Sequence, residues 1–193
     1  MNAPELKLAA GKTALVLIDL QAGIAALPVQ PHDAASVLAN ARALADRFRA
    51  LGAPVVLVKV AFSNGPGGLR PITDAGQAQE APEPAGWSEL CPELAVQPSD
   101  IIVTKRQWGA FYDTDLDSHL RRRGIETIVL GGIATAIGVD STARGAHERG
   151  YQQIFAEDAM SDLNAATHES TCRFIFPRIG RIRSTQQVLA ALA

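Results

Sequence analysis

Three groups of residues in this chain have the types and positions to do chemistry. The first is an aspartate. LVLIDLQ (15–21) places Asp19 after five consecutive apolar residues, Ala14 to Ile18. A carboxylate in that setting is costly to bury unless it is paired, and otherwise it caps the loop that follows. The second is a lysine. IIVTK (101–105) carries Lys105 out of an apolar run and RQWGAF follows; a lone lysine there would snorkel to solvent. Two opposite charges ending two neighbouring inner strands form a candidate acid–base pair, in which burial raises the proton affinity of Asp19 and Lys105 lowers it. The third group is GGIATAIGVDSTARGAH (131–147), where an apolar strand runs through Gly131 and Gly132 into a helical pattern. Strand–turn–helix junctions aim backbone N–H groups at a ligand. In many enzymes the first turn of such a helix supplies a nucleophile. Here the focal position is Gly138, which has no side chain to attack with.

The same residues fit other common sites poorly. The chain has no G-x-S-x-G elbow and no Walker-type phosphate loop. His32, His119, His147 and His168 show no metal-ligand spacing, so each reads as a surface or helix residue, and neither a metal nor another cofactor is expected. Glu157 lies about twenty residues past the glycine turn, as in a dinucleotide site. The glycines at 131, 132 and 138 do not make G-x-G-x-x-G, however, and that reading is weak. Cys91 and Cys172 have no metal or redox spacing and read as two reduced thiols.

The elements that must position these residues alternate. Apolar runs of strand length occupy 13–20, 54–62, 100–105, 126–132 and 151–158, with a short sixth at 179–184. Near-continuous Val, Ile and Leu mark strands buried on both faces, as in a parallel sheet. Between them lie helical patterns at 33–52, at 114–124, from the glycine turn to Gly150, at 164–176 ending near Pro177, and at the C-terminus. The stripe of Val37, Leu38, Ala41, Leu44, Ala45, Phe48 and Leu51, stopped by Gly52, is the clearest of them. The fold class that follows is a single α/β domain over 1–193, a doubly wound three-layer sandwich with a six-stranded, mostly parallel sheet and helices on both faces. Ligands bind such sheets at the carboxyl ends of the strands. Asp19, Lys105 and the glycine turn all lie there. The stretch 62–98, rich in Pro and Gly, reads either as a lid or binding loop or as an insertion packed on a second subunit.

A chain of 193 residues with 47% hydrophobic and 5% aromatic content can bury a large aliphatic core. A net charge of −2 gives no basic footprint for nucleic acid or a membrane surface. No apolar run approaches the ~20 residues needed to span a bilayer, and no charged region precedes the first apolar run as in a signal peptide. The expectation is a cytoplasmic protein acting on a small molecule.

Taken together, LVLIDLQ, TKRQWGAFYDTDLDSHLRRRG (104–124) and GGIATAIGVDSTARGAHERGY (131–151) resemble the isochorismatase-like, or cysteine hydrolase, family, and the resemblance runs along nearly the whole chain, including IFPRIGRIRS. It implies a six-stranded parallel sheet and a homo-oligomer, dimer or tetramer. Most members use an Asp–Lys–Cys triad, and those roles fall on Asp19, Lys105 and position 138, with a non-proline cis peptide expected at Ile133–Ala134. Gln21, Trp108, Phe111, Ile133, Ala134 and Thr135 are the expected substrate-binding residues, and Phe62 and Trp87 are further candidates to wall an apolar pocket. The metal-binding D-x-H segment of nicotinamidase-type members is not carried over, because this chain has VKVAFSNGPGG there.

Glycine in place of cysteine removes acyl-thioester chemistry. Members with glycine at this position include isochorismatases, which cleave a vinyl ether without a covalent intermediate, and a YecD-type branch. In that chemistry an aspartic acid protonates the enol carbon and water captures the oxocarbenium. The glutamine-proline pair expected of true isochorismatases is missing from AFSN (61–64). Two readings therefore stand side by side: a hydrolase using Asp19 and Lys105 in acid–base chemistry, and a catalytically silent relative that binds a small carboxylate or serves as an oligomeric partner.

Overall fold

A computed structural model describes residues 6–62, 71–74 and 83–192. Its centre is β1 (Thr13–Ile18), every residue of which is buried. Alternate side chains serve two cores. Leu15 and Leu17 face one apolar cluster, and Ala14, Val16 and Ile18 face the other. A strand covered on both faces has no place for a polar residue until it ends, which is why Asp19 follows directly.

From β1 the chain passes a short turn of helix, α1 (Ala22–Ala25), to the long α2 (Ala34–Ala50) and then to β2 (Val55–Val60). Asp33 caps α2, its Oδ1 accepting from the Ser36 amide at 2.8 Å. The predicted stripe is the buried face of this helix: Val37, Leu38, Ala41, Leu44, Ala45 and Phe48 are all buried. Next come β3 (Ile101–Lys105), α3 (Leu116–Arg122), β4 (Thr127–Ile133) and α4 (Asp140–Glu148), the last entered through a π-turn over Thr135–Val139. The chain closes with β5 (Gln152–Ser161), α5 (Ala165–Ser170), a second π-turn (Thr171–Ile175), α6 (Phe176–Ile179), β6 (Arg181–Arg183) and α7 (Thr185–Ala191). The helical pattern predicted to end near Pro177 continues instead, because Pro177 occupies the first turn of α6, where its missing N–H costs nothing.

All five strand pairs are parallel, and the strand order is β3-β2-β1-β4-β5-β6. Helices α2 and α7 cover one face, and α3, α4 and α6 cover the other. The sheet winds outward from β1 in both directions, so the connections diverge between β1 and β4. That divergence opens a crevice at the carboxyl ends of the two strands. Gly132 lets the strands close up beneath it. At φ +123 a Cβ there would lie 2.0 Å from the carbonyl oxygen of Ile18, so only glycine fits.

The order also corrects one sequence expectation. β1 and β3 are not neighbours, because β2 lies between them, and β3 is an edge strand with Ile102 and Thr104 exposed. Short apolar runs do not encode which strand pairs with which.

Candidate active site

Asp19 leaves β1 with φ +53, in the left-handed region. Aspartate tolerates that conformation better than most residues. The turn fixes its amide on the Val58 carbonyl at 2.8 Å and swings its carboxylate over the crevice. Lys105, 2% exposed, comes from the end of β3 and passes the end of β2 to place Nζ 2.7 Å from Asp19 Oδ2. The same Nζ donates to the Trp108 carbonyl at 2.7 Å. Asp19 Oδ1 is buried and, among the described residues, has no hydrogen-bond partner. Burial pushes the Asp19 carboxyl up to about 6, against the opposing charge and hydrogen bond of Lys105.

The π-turn supplies the third side. The peptide Ile133–Ala134 is cis, as the family resemblance implied. Gly138 faces the ion pair directly: a Cβ there would lie 2.9 Å from Asp19 Oδ2, 3.0 Å from Ile18 Cγ2 and 3.2 Å from Lys105 Nζ. Glycine does not leave a hole at this position. The head groups of Asp19 and Lys105 occupy the space that a side chain would need. One backbone donor of the turn is already engaged, since the Ala136 amide donates to Asp162 Oδ2 at 2.6 Å.

Above the pair lies a cleft of about 110 Å³. Its floor is Asp19, Lys105 and Gly138, and its walls are mainly apolar, including Ile24, Leu27, Phe62, Trp108, Ile137 and Leu163. Ile133 and Ala134 also line it, so Trp108, Ile133 and Ala134 of the expected binding residues reach the cleft. Three others do not line it, for identifiable reasons. Gln21 is fully buried with its amide spent on backbone: Oε1 accepts from the Val60 amide at 2.8 Å, and Nε2 donates to the Val60 and Trp87 carbonyls at 3.0 and 3.3 Å. Phe111 stacks on Tyr151 within the core under α4. Thr135 points away from the cleft toward α5, with Oγ1 2.8 Å from His168 Nδ1. Trp87 instead covers Gly23, where a Cβ would lie 2.0 Å from the indole, and supports Phe62 at 5.8 Å between ring centroids. Of the loop 62–98, read from sequence either as a lid or binding loop or as an insertion packed on a second subunit, residues 63–70 and 75–82 lie outside the described residues.

Known proteins share this arrangement of elements. The Isochorismatase domain matches residues 13–187. The chain belongs to the isochorismatase family. It is 54% identical over 179 residues to the isochorismatase family protein YwoC of Bacillus subtilis, covering 92% of this chain and 93% of that one. It is 48% identical over 189 residues to the isochorismatase family protein YecD of Escherichia coli O157:H7, covering 97% of this chain and all of the other. A solved isochorismatase family protein from Burkholderia thailandensis superposes with a TM-score of 0.87 at 43% identity, covering 96% of this chain and 97% of that chain. The six-stranded parallel sheet with helices around it is thus the isochorismatase-family hydrolase fold. Among the described residues no helix is long and apolar enough to cross a membrane.

Sequence spacing missed one feature of this isochorismatase-family chain. His168 is a helix residue, but a buried one, and with His32 it converges on Glu157: each Nε2 lies 2.9 Å from Glu157 Oε1. The hydrogen bond from His168, with that from His32, holds the Glu157 carboxyl down at about 2, against the opposing effect of burial. These residues come from three separate segments, so no local spacing in the chain could have joined them.

Proposed function

We propose that this protein hydrolyses a small molecule by acid–base chemistry without a covalent enzyme intermediate, with Asp19 as the proton donor and acceptor, Lys105 as its partner and Gly138 at the position where relatives of the Cys type carry a nucleophile. One observation carries the reading. Asp19 sits at the floor of an apolar cleft with Oδ2 on Lys105, and among the described residues its buried Oδ1 has no partner, so one carboxylate oxygen is not engaged by the protein. A carboxyl raised to about 6 is protonated often enough near neutrality to act as a general acid, whereas an ordinary surface aspartate is not.

The substrate class that suits this floor has an acid-labile bond, such as an enol ether. Asp19 transfers its proton to the enol carbon, and the ether oxygen stabilises the cation that forms. Water adds to that cation, and the resulting hemiketal collapses to a ketone and an alcohol while a proton returns to Asp19. Lys105 holds the carboxylate in place and stabilises the charge left on it after transfer. The apolar walls keep bulk water from competing for the proton, and the small cleft suits a compact ligand. A screen of small enol ethers, esters and amides with the wild-type protein and Asp19→Asn side by side tests the proposal. Hydrolysis by the wild-type protein alone supports it. Equal turnover by both, or a covalent adduct in the intact-protein mass during turnover, overturns it.

A further inference from the structure

The convergence of His32, Glu157 and His168 has no part in the chemistry above, yet it is built like a site. His32 follows the cis peptide Gln30–Pro31, and its carbonyl accepts from Ser161 Oγ at 2.7 Å, which fixes the loop before α2 against the end of β5. Glu157 lies where the β4–β5 register shifts, between the Leu130–Phe155 and Gly132–Met160 pairs, so the irregularity turns its carboxylate toward the histidines. His168 lies on α5 and is 2% exposed.

The orientation of His168 is set from behind. Thr135 Oγ1 has one proton and two polar neighbours, the Ser161 carbonyl at 3.1 Å and His168 Nδ1 at 2.8 Å. The carbonyl can only accept. With the hydroxyl proton given to Ser161, Nδ1–H of His168 donates to Thr135 and the second ring nitrogen faces Glu157. Nε2 lies 2.9 Å from Glu157 Oε1, and without a metal a proton on that nitrogen makes the hydrogen bond. A metal cation bound there takes the place of that proton, as metal binding at histidine requires. Histidines that ligate metals show this same pattern, with the far ring nitrogen donating to a fixed oxygen.

We propose that His32, Glu157 and His168 bind a divalent transition-metal cation of the Zn²⁺ type. Two imidazole nitrogens and a carboxylate oxygen are the donors such ions select. All three donor atoms lie within 4.8 Å of one another. Tetrahedral Zn²⁺ with bonds of about 2.0–2.1 Å separates its ligands by roughly 3.4 Å, so the two 2.9 Å contacts must open only slightly. The side chains of His32 and Glu157 are 31% and 35% exposed, which leaves a route from solvent and a coordination position for water. The bound ion links the loop before α2, β5 and α5, and through Thr135 it buttresses the turn that carries Ala134 into the cleft.

The test is calorimetric titration of chelator-treated protein with Zn²⁺ alone, together with thermal melting. One equivalent is expected to bind with micromolar or tighter affinity and to raise Tm. His32→Ala, at the exposed ligand, is expected to weaken binding at least tenfold while circular dichroism stays native, and Glu157→Gln to do the same. His147→Ala, on α4 away from the cluster, is expected to leave affinity unchanged. Absence of stoichiometric binding, unchanged affinity in a folded His32→Ala, or loss of binding in His147→Ala would each overturn the proposal. None of these outcomes bears on turnover by Asp19.

Discussion

Lys105 Nζ meets Asp19 Oδ2 at 2.7 Å although their strands are not neighbours. Parallel strands lie about 4.8 Å apart, so the two side chains together bridge roughly two such spacings, the lysine with a fully buried stem passing the end of β2. The left-handed turn at Asp19 and the missing Cβ at Gly138 complete the contact from the other side. The pair therefore depends on three strand ends and one glycine together.

A pH dependence follows from the raised Asp19 carboxyl. If its protonated form is the active acid, kcat/KM holds a plateau below about pH 6 and falls about tenfold per pH unit above it. A kcat/KM profile checks this. Activity that rises through the same range would assign Asp19 the opposite role, that of a base.

Lys105→Met tests the partner. Methionine keeps the buried stem but removes the charge that favours the ionised carboxylate, so the falling limb should move upward by at least one pH unit. The profile of the variant decides it. A limb that stays in place would mean that Lys105 does not act on Asp19.

Stability carries the same signature. The Asp19 carboxyl titrates near 3.8 in the unfolded chain and at about 6 in the folded one, so the native state holds the extra proton between them. Its contribution is present in full below about pH 4 and is lost as pH rises through 6, a change of roughly 3 kcal/mol by linkage. Urea unfolding of wild type and Asp19→Asn across pH 4–7 should show a slope that the variant lacks.

Gly138→Cys uses the crowded glycine as a probe. The new Cβ must push aside Asp19 Oδ2 and Ile18 Cγ2, for an overpacking cost of about 1–3 kcal/mol. The thiol would then lie beside Lys105, which favours the thiolate. Cys172 is pushed up to about 12 by burial and the Glu157 charge, and burial also raises Cys91. Iodoacetamide at neutral pH should therefore label position 138 first, as read by mass spectrometry of the peptides. Earlier labelling of the other two in a folded variant would mean that position 138 does not face an open, cationic site.

Gln21→Ala separates support from substrate contact. It removes three hydrogen bonds from the backbone of Val60 and Trp87, at a cost of about 2–4 kcal/mol in urea unfolding. A change in KM with no loss of stability would return Gln21 to the binding residues.

The residues differ in how far the sequence could place them. Strand β1, buried on both faces, writes itself as an unbroken apolar run, and the α2 stripe repeats at helical spacing, so both were legible with their ends nearly in place. Asp19 and Lys105 were legible because charge directly after such runs needs a reason. Strand order was not, since Val56 and Ile102 look alike in sequence while one is buried centrally and the other lies at an edge. Thr135, Gln21 and Phe111 lie next to site residues in the chain, but side-chain direction follows from tertiary packing and turned each of them inward. Ile24, Leu27 and Leu163 reach the cleft from segments with no chemical signature at all.

The most direct test of the central claim is kcat for Asp19→Asn on a substrate that the wild-type protein turns over, with ligand affinity measured in parallel. Asparagine keeps the shape of the side chain and removes the transferable proton. General acid–base catalysis contributes roughly 10²–10⁴ in rate, so kcat should fall by about that factor while affinity stays within about tenfold. A variant with wild-type kcat would contradict the assignment of Asp19 as the catalytic acid.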